Sequence, residues 1–254
     1  MRAAWQLLLR AGALLLACLM PVPAMAADCV VLLHGLARSP QSLSVIEEVL
    51  KRRGLRVINA GYPSTKEPLE VLVGHVGQAV EACGSAPVDV ITHSMGGILL
   101  QLWAAQEDNA RRIARAVMLA PPNGGSEIVD AFGDQAWFAW MNGPAGLRLG
   151  TDAEGVAASL PRPEFEFAVI AGSDSLNPVT SMLIPGADDG KVSVAHTKAP
   201  GMAAHLVLPV THTWMMNDPR VIRQALAFLQ EGAFAPPATW GAAFAELMRG
   251  APAR

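Results

Sequence analysis

Short apolar runs alternate along the chain with longer stretches whose apolar residues repeat at helical spacing. Cys29-Val30-Val31-Leu32-Leu33 is a continuous apolar run and predicts a strand buried on both faces. Ser39-Pro40 then offers a helix start, a polar cap followed by proline in the first position. Leu43, Ile46, Val49 and Leu50 continue that helix until Gly54 stops it. Arg56–Ala60 predicts a second strand, broken by Gly61-Tyr62-Pro63. Leu69, Leu72, Val73, Val76 and Val80 make the stripe of another helix ending near Cys83-Gly84. Val88–Thr92, Ala116–Ala120, Phe165–Ile170 and Leu206–Leu208 predict further strands. An apolar helix opens at Gly96-Gly97 and runs to about Gln106, and Val221–Leu229 forms a closing helix after Asp218-Pro219. Strands alternating with helices predict a mostly parallel sheet covered on both faces.

Three segments break the rhythm. From Gly124 to Pro163 no strand pattern appears, and Phe132, Trp137, Phe138 and Trp140 cluster among glycines. A long insertion of this kind predicts a lid or small helical cap over residues 126–163, within a main domain spanning 27–232. Residues 233–254 form a tail with Pro236-Pro237 and a weak helix around Phe244 and Leu247. At the other end, Arg2 and Arg10 flank and precede an apolar run, Ala11 to Met20, too short to span a bilayer. Pro21 and Pro23 break it, and Ala24-Met25-Ala26 is a small-x-small cleavage signature, so residues 1–26 read as a signal peptide cleaved near Ala26. An uncleaved anchor and lipidation at Cys18 are the alternatives. The expected product is an exported, soluble protein, periplasmic or secreted.

Export changes how the rest is read. Removing residues 1–26 takes away two arginines and no acid, moving the formal charge from −3 to −5. No basic footprint for nucleic acid remains. With 52% apolar residues and 16% charged, a disordered chain is also excluded. No cluster of ligand residues has metal-binding spacing, so no cofactor or metal is expected.

The most specific chemistry lies in Val90-Ile91-Thr92-His93-Ser94-Met95-Gly96-Gly97. A strand runs into a serine and straight on into small residues and a helix. This is the pattern of a nucleophile elbow, with Thr92 where the first glycine usually stands. A second segment, Leu33-His34-Gly35-Leu36-Ala37, leaves the first strand toward a capped helix. Acyl transfer builds a negative oxygen that backbone N–H groups must meet. The amides of Met95 and Leu36 are the candidate oxyanion donors, Gly35 allows a close backbone approach, and His34 reads as a residue that orients this loop by a hydrogen bond.

These segments resemble the α/β-hydrolase superfamily, and more closely bacterial secreted lipases and esterases. Ala120-Pro121-Pro122-Asn123-Gly124-Gly125-Ser126 and Asp189-Gly190-Lys191-Val192 are similar to lipase motifs at corresponding places. The resemblance covers roughly residues 29–230. It implies the α/β-hydrolase fold, a mostly parallel central sheet with helices on both faces and a lid or cap insertion. It also implies a chain order of serine, acid, histidine. That order sets aside His34, His75 and His93 as the base. His212 is favoured because catalytic groups sit beyond the carboxyl ends of strands, with His205 the alternative and His196 too near the acid. Asp189 ranks first as the acid, ahead of Asp174 and Asp188, and Asp89 reads as structural. The same strand order puts Cys29 and Cys83 at the amino end of the sheet, within reach of a disulfide.

The implied activity is carboxylic ester hydrolysis by Ser94, Asp189 and His212 on a small-molecule or lipid ester, with transient contact to a lipid interface and no obligate protein partner. A thioesterase, amidase or acyltransferase on the same triad is the alternative enzyme reading. A non-catalytic binding protein of the same fold is the alternative outside enzymes.

Overall fold

Among the described residues six strands form one sheet, in the order β2 (Arg56–Ala60), β1 (Cys29–Leu33), β3 (Val88–His93), β4 (Ile113–Leu119), β5 (Glu166–Gly172) and β6 (Ala204–Leu208), and every neighbouring pair is parallel. The computed structural model describes residues 27–249; the expected signal peptide lies outside the described residues. β1 and β2 match their expected bounds. β4 starts ahead of its apolar run because Arg115 is accommodated inside it. The guanidinium bonds Glu166 at 2.8 Å and donates to the Leu229 and Gln230 carbonyls.

Alternate strand residues serve two separate apolar layers, as the two-residue period of a strand requires. Val31, Leu33, Val90, Met118, Phe167 and Val169 pack toward α2 (Leu69–Ala82) and α3 (Met95–Ala104). Val30, Leu32, Ile91, Val117, Leu119 and Ile170 pack toward α1 (Ser44–Arg52) and α7 (Pro219–Glu231). Both central strands β1 and β3 are therefore buried at every residue.

Cys29, at the start of β1, is disulfide-bonded to Cys83 at the end of α2, with Cα atoms 5.9 Å apart. The bridge closes a separation of 54 residues, worth about 4 kcal/mol in the chain-entropy account. Among the described residues no helix is long and apolar enough to cross a membrane.

The insertion contains α4 (Glu127–Phe132) and α5 (Ala136–Leu147), and α6 (Pro178–Leu183) follows β5. α5 is kinked at Gly143, φ 65°, directly before Pro144, where the proline ring cannot continue a regular helix. A side chain at Gly143 would run into the Thr65 carbonyl, so this point is held against the loop after β2. Ala145, Leu149 and Val156 beyond the kink belong to the core. The insertion thus divides: the part after Gly143 is a packed layer, whereas Trp137, Trp140 and Met141 before it are exposed. In the tail, α8 (Trp240–Arg249) buries Ala243 and Leu247 and ties to α7 through Arg223 and Glu246 at 2.7 Å.

Candidate active site

β3 ends in a backbone geometry that ordinary residues avoid. Ser94 has φ 54° and ψ −126°, a conformation that costs about 1–3 kcal/mol and persists only where the surroundings enforce it. The Ser94 N–H donates to the Leu119 carbonyl at 2.8 Å, and its carbonyl accepts from Gly97 at 2.9 Å. Small residues make the turn fit. A Cβ on Gly96 would lie 2.5 Å from the Leu33 oxygen, and one on Gly35 would lie 3.0 Å from the Ser94 Cβ. Thr92, in place of the first glycine of the motif, is accommodated because Gly97 opposite its Oγ1 has no side chain.

The loops after β5 and β6 bring two more groups to this serine. Ser94 Oγ lies 3.0 Å from His212 Nε2, and His212 Nδ1 lies 2.7 Å from Asp189 Oδ2. Nδ1–H donating to the carboxylate leaves Nε2 as the acceptor for the serine hydroxyl. The Asp189 side chain is wholly buried. Its second oxygen, Oδ1, accepts from the Lys191 and Val192 amides at 3.0 and 2.9 Å, and the Asp189 carbonyl accepts from the His212 N–H at 2.9 Å. Gly190, φ 94°, turns the loop so that these amides face back onto the carboxylate.

The competing residues are engaged elsewhere. Asp174 is exposed. Asp188 accepts from Ser181 Oγ at 2.8 Å and the Gly190 N–H at 2.7 Å. His205 pairs with Thr197 Oγ1 at 2.9 Å, and His196 sits 3.1 Å from Glu127. His34 is fully buried, with Nδ1 2.9 Å from the Gly35 carbonyl. Its ring stacks on Tyr62 at 3.9 Å, and the Tyr62 hydroxyl donates to the His34 carbonyl.

Two contributors escaped the sequence reading. His93 packs against His212 with ring centroids 4.8 Å apart, and its Nε2–H donates to the His212 carbonyl at 3.0 Å. Burial, together with the nearby His212, holds its pKa well below the usual histidine range, so it is a neutral support. The other is Tyr62, the chain's single tyrosine, which braces the loop after β1. Its rarity beside Gly61 and Pro63 was the available signal.

The amides expected to meet a developing oxyanion belong to Met95 and Leu36. Met95 is the first residue of α3, where an N–H has no intrahelical acceptor. Leu36 sits in the turn after β1, which is pinched by the positive φ of Ala37 (52°). Among the described residues neither amide donates to a backbone carbonyl. Ser94 and His212 open into a cavity of about 450 Å³. One wall is apolar: Val129, Phe132, Trp137, Phe138, Met141 and Leu149. Among the described residues no group of three or more His, Cys, Asp or Glu side chains is placed to hold a metal ion.

No family model and no curated protein sequence matches the chain. Solved structures do. The propeptide form of the Bacillus licheniformis lipase BlEst2 superposes with a TM-score of 0.66 at 17% identity, over 86% of this chain and 53% of that one. Its mature form gives 0.61 at 17% identity, over 80% and 89%. The phospholipase PlaB of Legionella pneumophila gives 0.65 at 16% identity, over 87% and 63%. The chain thus spans about half the length of the lipase in its propeptide form. By this likeness the chain has the α/β-hydrolase fold and resembles lipases and esterases in architecture.

Proposed function

We propose that this protein is a serine hydrolase that cleaves carboxylic esters through an acyl-enzyme on Ser94. The observation that carries this reading is the unbroken line of hydrogen bonds from Ser94 Oγ through His212 to Asp189. His212 Nε2 takes the hydroxyl proton as Ser94 attacks the ester carbonyl. Asp189 stabilises the resulting imidazolium and fixes its ring orientation. The Met95 and Leu36 amides hold the oxyanion. His212 then returns the proton to the departing alcohol, and water attacks the acyl-enzyme by the same route.

The apolar cavity wall supports an acyl chain as the substrate's anchor, and the likeness to a lipase and a phospholipase agrees with a lipid-like ester. The helical piece from α4 to the kink of α5 is the lid in this reading, because its exposed Trp137 and Met141 line the cavity. Export with cleavage near Ala26 completes it, supported by the Cys29–Cys83 bridge, which belongs to an oxidising compartment.

Two measurements test the proposal. A fluorophosphonate probe labels the native chain and leaves Ser94→Ala unlabelled. A series of p-nitrophenyl esters of graded chain length is hydrolysed, against thioester and amide counterparts. Labelling that survives Ser94→Ala, or turnover confined to thioesters or amides, overturns the ester assignment.

A further inference from the structure

Two cations line the cavity that contains Ser94: Arg38 from the loop after β1, and Lys191 from the loop after Asp189. Among the described residues neither makes an ion pair. Among the described residues Asp189 is the one carboxylate that lines the cavity, and both its oxygens are already taken, by His212 and by two amides. Asp188, next in the chain, is likewise turned to Ser181 and Gly190. Lys191 keeps an exposed side, and crowding by the surrounding protein and the neighbouring Arg38 charge lower its ammonium's pKa, with Asp189 opposing them. Bringing two like charges into one pocket is unfavourable unless something negative joins them. This is an unusual place for positive charge in a chain whose formal net charge is −3.

Resting on the ester-hydrolase reading above, we propose that Arg38 and Lys191 form an anion clamp, which selects esters bearing a phosphate group on the alcohol side of the scissile bond. The side follows from the chemistry. Lys191 shares its loop with Asp189, which orients the histidine that hands a proton to the departing alcohol. Phe132, Phe138, Met141 and Leu149 in the same lining are apolar and suit the acyl chain. Arg38 stands two residues beyond Leu36, whose amide is a candidate oxyanion donor, so both cations come from loops that carry parts of the proposed ester-cleaving machinery. A guanidinium offers paired donors that match phosphate oxygens, and an ammonium adds a compact point charge.

The test compares two water-soluble esters that differ only in the charged group, 1-hexanoylglycerol 3-phosphate and 1-hexanoylglycerol. The wild-type chain is expected to favour the phosphate ester in kcat/KM by about tenfold or more, the scale of a hydrogen bond to a charged group. Arg38→Gln and Lys191→Gln each bring the ratio toward one, chiefly through KM, whereas Arg38→Lys and Lys191→Arg keep most of it. A wild-type ratio near one overturns the clamp. So does a variant that loses activity on both esters equally, since that marks a general effect on the oxyanion. A binding arm separates this proposal from the reading it rests on. Calorimetry on Ser94→Ala is expected to show hexyl phosphate binding more tightly than hexanol or inorganic phosphate. Inorganic phosphate binding as tightly as hexyl phosphate overturns the selectivity for an ester. Selective hexyl phosphate binding without hydrolysis of either ester keeps the clamp and removes the hydrolase.

Discussion

The Ala27 backbone nitrogen donates to Asp89 Oδ2 at 3.2 Å, joining the start of the described chain to the strand that carries Ser94. Asp89 is almost wholly buried, and among the described residues its other oxygen has no hydrogen-bond partner. Burial raises its carboxyl pKa to about 7, against the weaker pull of the Ala27 and Arg115 amides and the Arg115 charge. A carboxyl whose folded pKa exceeds its unfolded value binds its proton more tightly in the native state. Its contribution to stability is therefore complete below about pH 4 and is lost as pH rises through about 7. In a chain whose Ala27 nitrogen is an amide, Asp89→Asn is expected to remove this dependence and to stabilise the protein at pH 8, by roughly 1–3 kcal/mol. Urea unfolding at pH 5 and pH 8 measures it, and a wild-type midpoint that does not fall between them contradicts it.

The same contact makes the start of the chain matter. A chain beginning at Ala27 carries an α-ammonium where a longer one carries an amide. An ammonium has three donors and a charge to offer both Asp89 oxygens. The shorter chain is expected to unfold at a higher temperature near pH 7. The advantage fades above about pH 8, where the α-amino group loses its proton. N-terminal acetylation of the short chain should abolish it. Equal midpoints for the two chains at pH 7 would refute the ion pair.

Ser94→Ala and His212→Ala are each expected to lower kcat by about 10⁴–10⁶-fold without loss of fold, because such a triad acts as one unit. Asp189→Asn should cost about 10³–10⁴-fold, since it turns the histidine to the wrong tautomer. Asp174→Asn should leave activity within about twofold, as an exposed group away from such features has little effect. A severe loss in Asp174→Asn with Asp189→Asn spared would reverse the assignment of the acid.

His93 holds the His212 carbonyl, not its reacting nitrogen. Replacing it with leucine removes one buried hydrogen bond, and kcat should fall about tenfold with KM little changed. His93→Gln, which keeps a donor on a side chain of similar reach, should recover much of that. If both variants raise KM and spare kcat, the residue shapes the cavity and does not position the base.

Trp137 and Trp140 stand exposed on α5 before the kink. A lid there predicts that the rate on a short-chain ester climbs sharply once the ester passes its solubility limit, with a change in tryptophan fluorescence on adding micelles. Trp140→Ser should flatten that climb and leave the rate on dissolved ester unchanged. A smooth saturation curve through the limit leaves only a fixed acyl pocket.

The elements were legible because their causes are local. β1 is an unbroken apolar run, and it pairs on both sides inside the sheet. The early start of β4 was not, since Arg115 looks polar in sequence and becomes acceptable only against Glu166 and the end of α7. In sequence the insertion looks like one piece because its glycines look alike. Gly143 is packed against Thr65, and Gly146 would meet the Leu36 side chain if it had a Cβ. Those contacts come from loops far away in the chain, so no periodicity within 126–163 reports them.

By itself the sequence determined the parallel sheet, the elbow at Ser94 and the small residues around it, because strand period, turn geometry and the room for a Cβ act between neighbours. Only the tertiary structure decided the partners. Asp189 lies 23 positions from His212, and His212 lies 118 from Ser94. Ranking Asp189 above Asp174 and Asp188 rested on a motif, and the distinction became physical when two amides and a histidine converged on one carboxylate. His93, Arg38 and Lys191 took their places at the cavity in the same way. Closing such long loops depends on the whole sheet forming at once, and the geometry that results is written in no single segment.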